Sequence, residues 1–320
     1  MKTALLKYNK VTNESFLKLK SIDDNLQLID LGNNIDSIKY SEIDNNLKHL
    51  NLDCVVVGDI FWPTGQNICK WCINNKVKCY FLQHGQWIYT KNKKNPEYLP
   101  YCIFVYGNDI KTEIKNWEYW NNTFVISVGS PRYDDLFITT EDYIYFSPPV
   151  LVEQNPSAPN IVHKKSYSWI KQLQGIDQFC NLLIQPHYRE KDVDFLKKNF
   201  PLARICPKEN SALPYITASK KIITHRNSTV VLDGIASKKQ VCLINFTDYD
   251  NSYFKMNYFG EFALESSNKE ELIKNILSPN TEIYDYNNKC QNYIKLEKSS
   301  QLILGIIKNG VSTDNYLRWV

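Results

Sequence analysis

The sequence lacks any apolar run near the ~20 residues that a membrane-spanning helix needs, and it has no internal repeat or low-complexity tract. It also lacks an excess of either charge: 38 Lys and Arg stand against 34 Asp and Glu, a formal net charge of +4. Basic residues scattered in that balance are not the footprint of a duplex-binding protein, so no nucleic-acid partner is expected. A weak attraction to anionic lipid or nucleotide is still allowed. The apolar part of Met1–Lys7 is too short for a signal peptide, so a soluble, cytoplasmic protein is expected, with peripheral association at the inner face of the membrane open. What the chain does have is 320 residues at 43% apolar and 13% aromatic, enough for two ordinary domains with buried cores.

Nine cysteines, an odd number, are widely spaced and mostly flanked by Val, Ile and Leu. That pattern fits reduced, buried thiols better than a disulfide framework. Cys69-Lys70-Trp71-Cys72 has metal-knuckle spacing, with Cys79 nearby, but it falls inside a helical pattern and no second CxxC or CxxH follows. A closed zinc site needs four ligands, so packing is the expected role. No Asp-x-Asp follows a strand pattern. Asp248-Tyr249-Asp250 has that spacing, but it sits in an aromatic-rich loop, 247–258, whose Tyr249, Tyr253, Phe254 and Tyr258 suit a cover over a donor, an acceptor dock or core. Neither a metal nor another cofactor is expected.

Short runs rich in β-branched and aromatic residues alternate with amphipathic stretches. The first half predicts strands at Leu26–Leu31, Cys54–Ile60, Lys78–Leu82, Cys102–Tyr106 and Phe124–Val128, with helices at Gln66–Lys76 and Ile110–Trp120. The second half predicts strands at Tyr143–Phe146, Asn181–Gln185, Ala203–Cys206, Lys221–Thr224 and Gln240–Phe246. Its helices are expected at Tyr167–Phe179, Lys191–Phe200, Ser211–Ser219, Thr229–Lys238, Lys269–Leu277 and Ile294–Lys308. Strands without polar alternation, separated by helices, argue for parallel sheets covered on both faces. The expected fold is α/β, with two doubly wound, Rossmann-like domains facing each other across a cleft. Ser147–Pro159 holds four prolines in thirteen residues and reads as a loop at the domain junction. The expected domains are residues 1–140 and 141–320, with the apolar last helix packing back on the first.

Open parallel sheets bind ligands at the carboxyl ends of their strands. Three of the five histidines fall there: His84 in Gln83-His84-Gly85, His187 in Pro186-His187-Tyr188-Arg189, and His225 in His225-Arg226-Asn227-Ser228-Thr229. Ser228 or Asn227 is placed to cap the helix that follows, and its free N–H groups, two hydroxyls and Arg226 suit a phosphate. In Gly129-Ser130-Pro131-Arg132 the glycine and proline set a turn that would point Arg132 into the cleft. Asp109 is either a second carboxylate near His84 or the N-cap of the helix it precedes.

These pieces, in this order, resemble the CDP-glycerol glycerophosphotransferase (teichoic-acid polymerase) family and related GT-B enzymes of capsule and lipopolysaccharide synthesis. The resemblance spans roughly residues 80–260 and rests on Gln83-His84-Gly85, Gly129-Ser130-Pro131-Arg132, Pro186-His187 and Ser228-Thr229. The family's usual Pro-His-Pro reads Pro186-His187-Tyr188 here, and its Asp-Tyr-Ser-Ser reads His225-Arg226-Asn227-Ser228-Thr229, departures that favour a glycosyltransferase relative. The resemblance implies inverting transfer from a CMP-, UDP- or GDP-linked donor to a glycan or lipid-linked glycan acceptor. The donor would lie on residues 141–320, its phosphates against Ser228 and Thr229, with His187, Arg189, His225, Arg226 and Asn227 around it. His84 would be the base for the acceptor hydroxyl, with Asp109 the second candidate and Gln83, Gly85, Ser130 and Arg132 lining the cleft. A CDP-polyol phosphotransferase and a UDP-sugar epimerase or binding module on the same fold are the alternatives.

Overall fold

The computed structural model describes residues 1–8, 12–32, 38–85, 96–115, 122–153, 159–226, 228–245 and 259–311. The chain forms two compact units, Met1–Asp135 together with Asn287–Val320, and Leu136–Tyr286. Among the described residues no helix is long and apolar enough to cross a membrane.

The first unit contains strands β1 (Thr3–Lys7), β2 (Gln27–Asp30), β3 (Cys54–Val57), β4 (Lys78–Leu82), β5 (Cys102–Val105) and β6 (Phe124–Ser127). Helices α1 (Asn13–Ile22), α2 (Tyr40–Leu47), α3 (Pro63–Asn74) and α4 (Asn108–Lys115) lie between them. The sheet is parallel throughout, in the order β2-β1-β3-β4-β5-β6. The Cys-Val-Val-Val of β3 and the Cys-Ile-Phe-Val of β5 are buried at every position, as expected for strands covered on both faces. α3 starts with Pro63, which gives up no hydrogen bond in a first turn. It buries Ile68, Cys69, Trp71 and Cys72, and the Trp71 indole N–H donates to Asp44 of α2 at 3.0 Å. Cys69 Sγ is 3.7 Å from Cys79 Sγ of β4. The CxxC pair is thus packed in the core, all nine cysteines are free thiols, and no trio of His, Cys, Asp or Glu among the described residues is arranged to hold a metal.

The second unit contains β7 (Ile144–Phe146), the short antiparallel pair β8 (Val152–Glu153) and β9 (Ile161–Val162), then β10 (Leu182–Ile184), β11 (Arg204–Ile205), β12 (Lys221–His225), β13 (Gln240–Ile244) and β14 (Ala263–Ser266). Its helices are α5 (Lys164–Leu173), α6 (Val193–Asn199), α7 (Leu213–Ala218), α8 (Val230–Ala236) and α9 (Lys269–Leu277). The main sheet is parallel, in the order β11-β10-β7-β12-β13-β14. Its core gathers Phe146, Trp169, Ile184, Phe200, Ile223 and Leu272. The buried ammonium of Lys221 donates to the carbonyls of Asn275 and Ser278 at 2.7 and 2.6 Å, satisfying groups that the end of α9 leaves open.

From there the chain passes through α10 (Tyr286–Cys290) to α11 (Ser299–Asn309). Ile303, Leu304, Ile306 and Ile307 of α11 join Leu5, Phe16, Leu19, Val56 and Phe104 in the core of the first unit. The carboxylate of Asp134 accepts the N–H groups of Ser299 and Ser300 at 2.9 and 2.8 Å.

Several details differ from the sequence reading. β1, α1, α2, β14 and the β8–β9 pair were not expected; β1 is only five residues long, yet four of them are fully buried. The helix expected over Tyr167–Phe179 stops at Leu173, because Gly175 turns to φ 82° and a single 3₁₀ turn, Ile176–Gln178, follows. The last helix starts at Ser299 rather than Ile294. Ser147–Pro159 lies within the second unit, where it supplies β8, instead of at a junction. The loop 247–258, with Asp248 and Asp250, lies outside the described residues.

Because Asp134 caps the first turn of α11 in place of a local side chain, Asp134→Ala should lower unfolding free energy by about 1–2 kcal/mol. Urea denaturation followed by circular dichroism measures this, and Asp134→Asn should recover part of the loss.

Candidate functional site

In each sheet the direction of strand addition reverses once, at β1 in the first unit and at β7 in the second. Crevices form beyond the carboxyl ends of strands at such points. Two polar clusters among the described residues lie at those ends.

In the first unit the cluster begins with Gly58 and Asp59, just past β3. Tyr8, just past β1, donates its hydroxyl to the Asp59 carbonyl and accepts the Asp59 N–H at 3.0 Å. Burial, then the Asp59 charge, push that phenol well above its usual range. One carboxylate oxygen of Asp59 accepts the N–H groups of Phe61 and Trp62 at 2.7 and 3.3 Å, turning the chain toward α3. The other lies 3.8 Å from Nε2 of His84, and both side chains are buried. Nδ1 of His84 bonds the Gly58 carbonyl. A carbonyl only accepts, so this contact assigns the proton to Nδ1 and leaves Nε2 of the neutral ring as a lone pair.

The neighbours of His84 are fixed by the backbone. Gln83 accepts the Tyr106 N–H at 2.7 Å and donates to the Gly85 carbonyl at 2.9 Å, while the Gly85 N–H bonds the Tyr106 hydroxyl at 3.2 Å. Gly85 sits at φ 86°, where a side chain would be strained. After β6, Gly129 takes φ 77°, and a Cβ there would come 2.1 Å from the Lys295 carbonyl. Ser130 is buried, its hydroxyl 3.5 Å from that of Ser15. Arg132, expected to point into a cleft, instead pairs with Glu14 of α1 at 3.3 Å and lies over the Tyr133 ring. Asp109 is exposed in the first turn of α4, which begins one residue earlier, so it is not the cap; partial dehydration raises its carboxyl above the ordinary value. The carboxylate that stands beside His84 is Asp59. It lies two residues past the end of β3, inside the strand expected over Cys54–Ile60, which hid it from the strand-end criterion that singled out the histidines.

In the second unit His187 follows β10 and His225 ends β12, the two neighbours of β7. Nδ1 of His187 accepts the Arg189 N–H at 3.3 Å, which assigns the proton of the neutral ring to Nε2. His187 and His225 are thus reached from one turn and one strand end, and each is held near pKa 4. Dehydration comes first in both cases, followed by Arg189 for His187 and by His187 for His225. The His187 side chain is largely exposed, so water at its outer edge tempers that displacement; His225 is more enclosed and keeps more of it.

Arg189 pairs with Glu153 of β8 at 2.5 Å and stacks its guanidinium over Tyr188. Arg226 pairs with Glu265 of β14, which also accepts from Asn245 at 3.0 Å, so its charge is already partly balanced. Ser228 and Thr229 are half-buried at the start of α8. Ser228 Oγ accepts the Val230 N–H at 3.3 Å, and the residue preceding the helix is Thr229, which makes no cap bond of its own. Asn227 lies outside the described residues. Glu153, Glu190 and Glu265 carry no motif in the sequence, where they look like ordinary surface charges.

No family model and no curated protein matches this sequence. Solved structures do. A variant of the wall teichoic acid polymerase TagF soaked with CDPG aligns over 96% of this chain and 88% of its own, with 13% identity and a TM-score of 0.61. MurG of Acinetobacter baumannii aligns over 97% and 100% at 8% identity and TM-score 0.54. LpCGTa in complex with UDP aligns over 99% and 97% at 10% identity and TM-score 0.53. At these identities the likeness establishes the fold: two doubly wound α/β domains of the GT-B type.

The low-lying His225 has a consequence for stability. Its folded pKa is depressed, so the unfolded chain takes a proton below about pH 6.5 while the folded chain stays neutral down to about 4. Stability is full above that window and falls as pH drops through it, by roughly 1–3 kcal/mol. His225→Asn should flatten the decline, read as the difference in urea midpoint between pH 7.5 and 4.5. An unchanged slope would contradict the assignment.

Proposed function

We propose that this chain is a glycosyltransferase that moves a sugar from a nucleotide-activated donor (CMP-, UDP- or GDP-linked) to a hydroxyl of a surface-polysaccharide acceptor, with inversion and without a metal. The observation that carries the reading is the pair of opposite tautomers. The Gly58 contact at Nδ1 leaves His84 a lone pair at Nε2, beside Asp59, as a proton acceptor needs, and the Arg189 N–H at Nδ1 leaves His187 an N–H at Nε2, as a leaving phosphate needs. The GT-B fold, shared with structures that hold UDP or were soaked with CDPG, supports a nucleotide-linked donor.

On this reading the acceptor oxygen attacks the anomeric carbon and its proton passes to Nε2 of His84. The sugar–phosphate bond breaks and its electron pair leaves on the nucleotide. Asp59 then lies 3.8 Å from the imidazolium and steadies it, while the Gly58 carbonyl keeps the ring in place. In the second unit His187 and Arg189 meet the phosphate, with Ser228 and Thr229 as hydroxyl donors. Arg226 contributes less, because Glu265 already holds it. The roles of His225 and Asn227 are as further contacts to the donor. Gln83, Gly85 and Ser130 shape the loop around His84, and Asp109 is a proton acceptor only if His84 proves dispensable. A lipid-linked acceptor at the inner membrane face suits the mild positive charge of the chain.

The primary test incubates the protein with CMP-, UDP- and GDP-sugars, with and without a polysaccharide acceptor, and identifies the released nucleotide. Acceptor-dependent release of one nucleotide is expected. Sugar isomerisation without acceptor, or transfer only from CDP-glycerol, would overturn the reading. His84→Asn should cut turnover by about 100- to 10,000-fold and remove the acidic limb of the pH–rate profile, with nucleotide affinity unchanged. Replacing Ser228 and Thr229 together by Ala should weaken nucleotide binding by about 1–3 kcal/mol in calorimetry.

A further inference from the structure

Resting on the donor-side role of His187 and Arg189, we infer that Glu190 is the positioning residue that fixes both in place for the donor phosphate. Glu190 stands among five consecutive residues of which four are charged, Arg189 to Val193, and from sequence it reads as solvated surface. In the structure it is 1% exposed. Its carboxylate accepts four backbone N–H groups: Leu151 at 2.6 Å on one oxygen, and Val152, Lys191 and Asp192 at 3.1, 2.9 and 2.8 Å on the other.

Those four donors belong to two segments. Leu151 and Val152 lie on the chain leaving β7, the strand at the reversal of the sheet. Lys191 and Asp192 lead into α6. One carboxylate therefore ties the exit of the reversal strand to the segment that follows the His187 turn. The turn itself closes when the Glu190 N–H donates to the His187 carbonyl at 2.8 Å, and the Lys191 N–H donates to the Val152 carbonyl at 3.0 Å. On the other side Lys208 donates to the Glu190 carbonyl at 2.8 Å. Arg189 completes the frame by pairing with Glu153, the residue after Val152.

The His187 and Tyr188 side chains stay exposed while the backbone beneath them is held at both ends. A short polar turn would otherwise sample many conformers, and ordering it on binding would cost affinity. The carboxylate removes that cost in advance. Glutamine cannot take its place, because its amide nitrogen would be directed at N–H donors and leave them without acceptors.

The test is calorimetry on the full chain with UDP, CMP, CDP and GDP as probes, at pH 7.5 and well below the melting temperature. The wild-type protein should bind at least one of them. E190Q should raise that Kd at least tenfold, and E190D, which keeps the carboxylate, should recover at least part of the loss. As a control, Asp177 is another buried carboxylate of this unit, bonded to the Leu202 N–H at 2.8 Å at the opposite end of β10. D177N should lower the melting temperature with no change in Kd. A folded E190Q with a Kd within twofold of wild type overturns the inference and leaves the proposed function standing. Should E190Q not fold, a folded E190D with wild-type Kd overturns it in the same way. Wild-type protein that binds none of the four probes overturns the proposed function and the inference with it.

Discussion

A parallel strand buried on both faces has no solvent side, so polar side chains can gather only where the strands end. That constraint orders this protein. The inner strands β3, β5, β7 and β10 are wholly apolar and buried at every position, while the edge strand β2 is largely exposed. Asp59, His84, His187 and His225 all stand at carboxyl ends or just past them. Each reversal of strand order opens the backbone locally, and the two clusters lie beside β1 and β7, where the reversals fall. Ends of strands are also where backbone groups lose their ladder partners. The same positions therefore need side chains that complete the hydrogen bonding.

Buried and half-buried carboxylates meet that need repeatedly. Asp59 accepts two N–H groups at the turn after β3, Asp134 accepts two at the start of α11, and Glu190 accepts four beneath the His187 turn. A buried charge is tolerated only when it is fully hydrogen-bonded. Here the backbone supplies the donors, so these loops hold their shape without disulfides or metal ligation among the described residues. The cysteines are left to behave as small apolar groups, as the Cys69–Cys79 contact between α3 and β4 illustrates.

The two histidine environments differ. His84 is enclosed with a carboxylate beside one nitrogen and a backbone carbonyl on the other. His187 and His225 sit near each other and near Arg189, surroundings that keep both rings neutral. A neutral ring can still donate from one nitrogen, and the Arg189 N–H determines which nitrogen of His187 does so. One residue type thus stands in two different electrostatic settings within a single chain.

Much of this was legible in the sequence. Apolar runs such as Cys-Val-Val-Val and Cys-Ile-Phe-Val, bounded by Gly, Asp and Tyr, specify buried strands by composition alone. Once the strands are placed, the histidines at their ends become candidates by position, and Gly85 and Gly129 mark turns because their dihedrals suit no other residue. The apolar Leu302–Ile307 stretch required a partner, though not a particular one. Tertiary structure decided the rest. β1 and β14 were not legible, and only pairing with their neighbours makes them strands. Arg132 and Arg226 were expected to face a ligand, and acids 118 and 39 residues away in sequence, Glu14 and Glu265, took them instead. Asp59 and Glu190 carry no local signature, because the role of a carboxylate depends on which N–H groups the fold brings to it. Periodicity and composition act between neighbours along the chain and can be read there. Hydrogen bonds across a sheet end join residues that become neighbours only after folding.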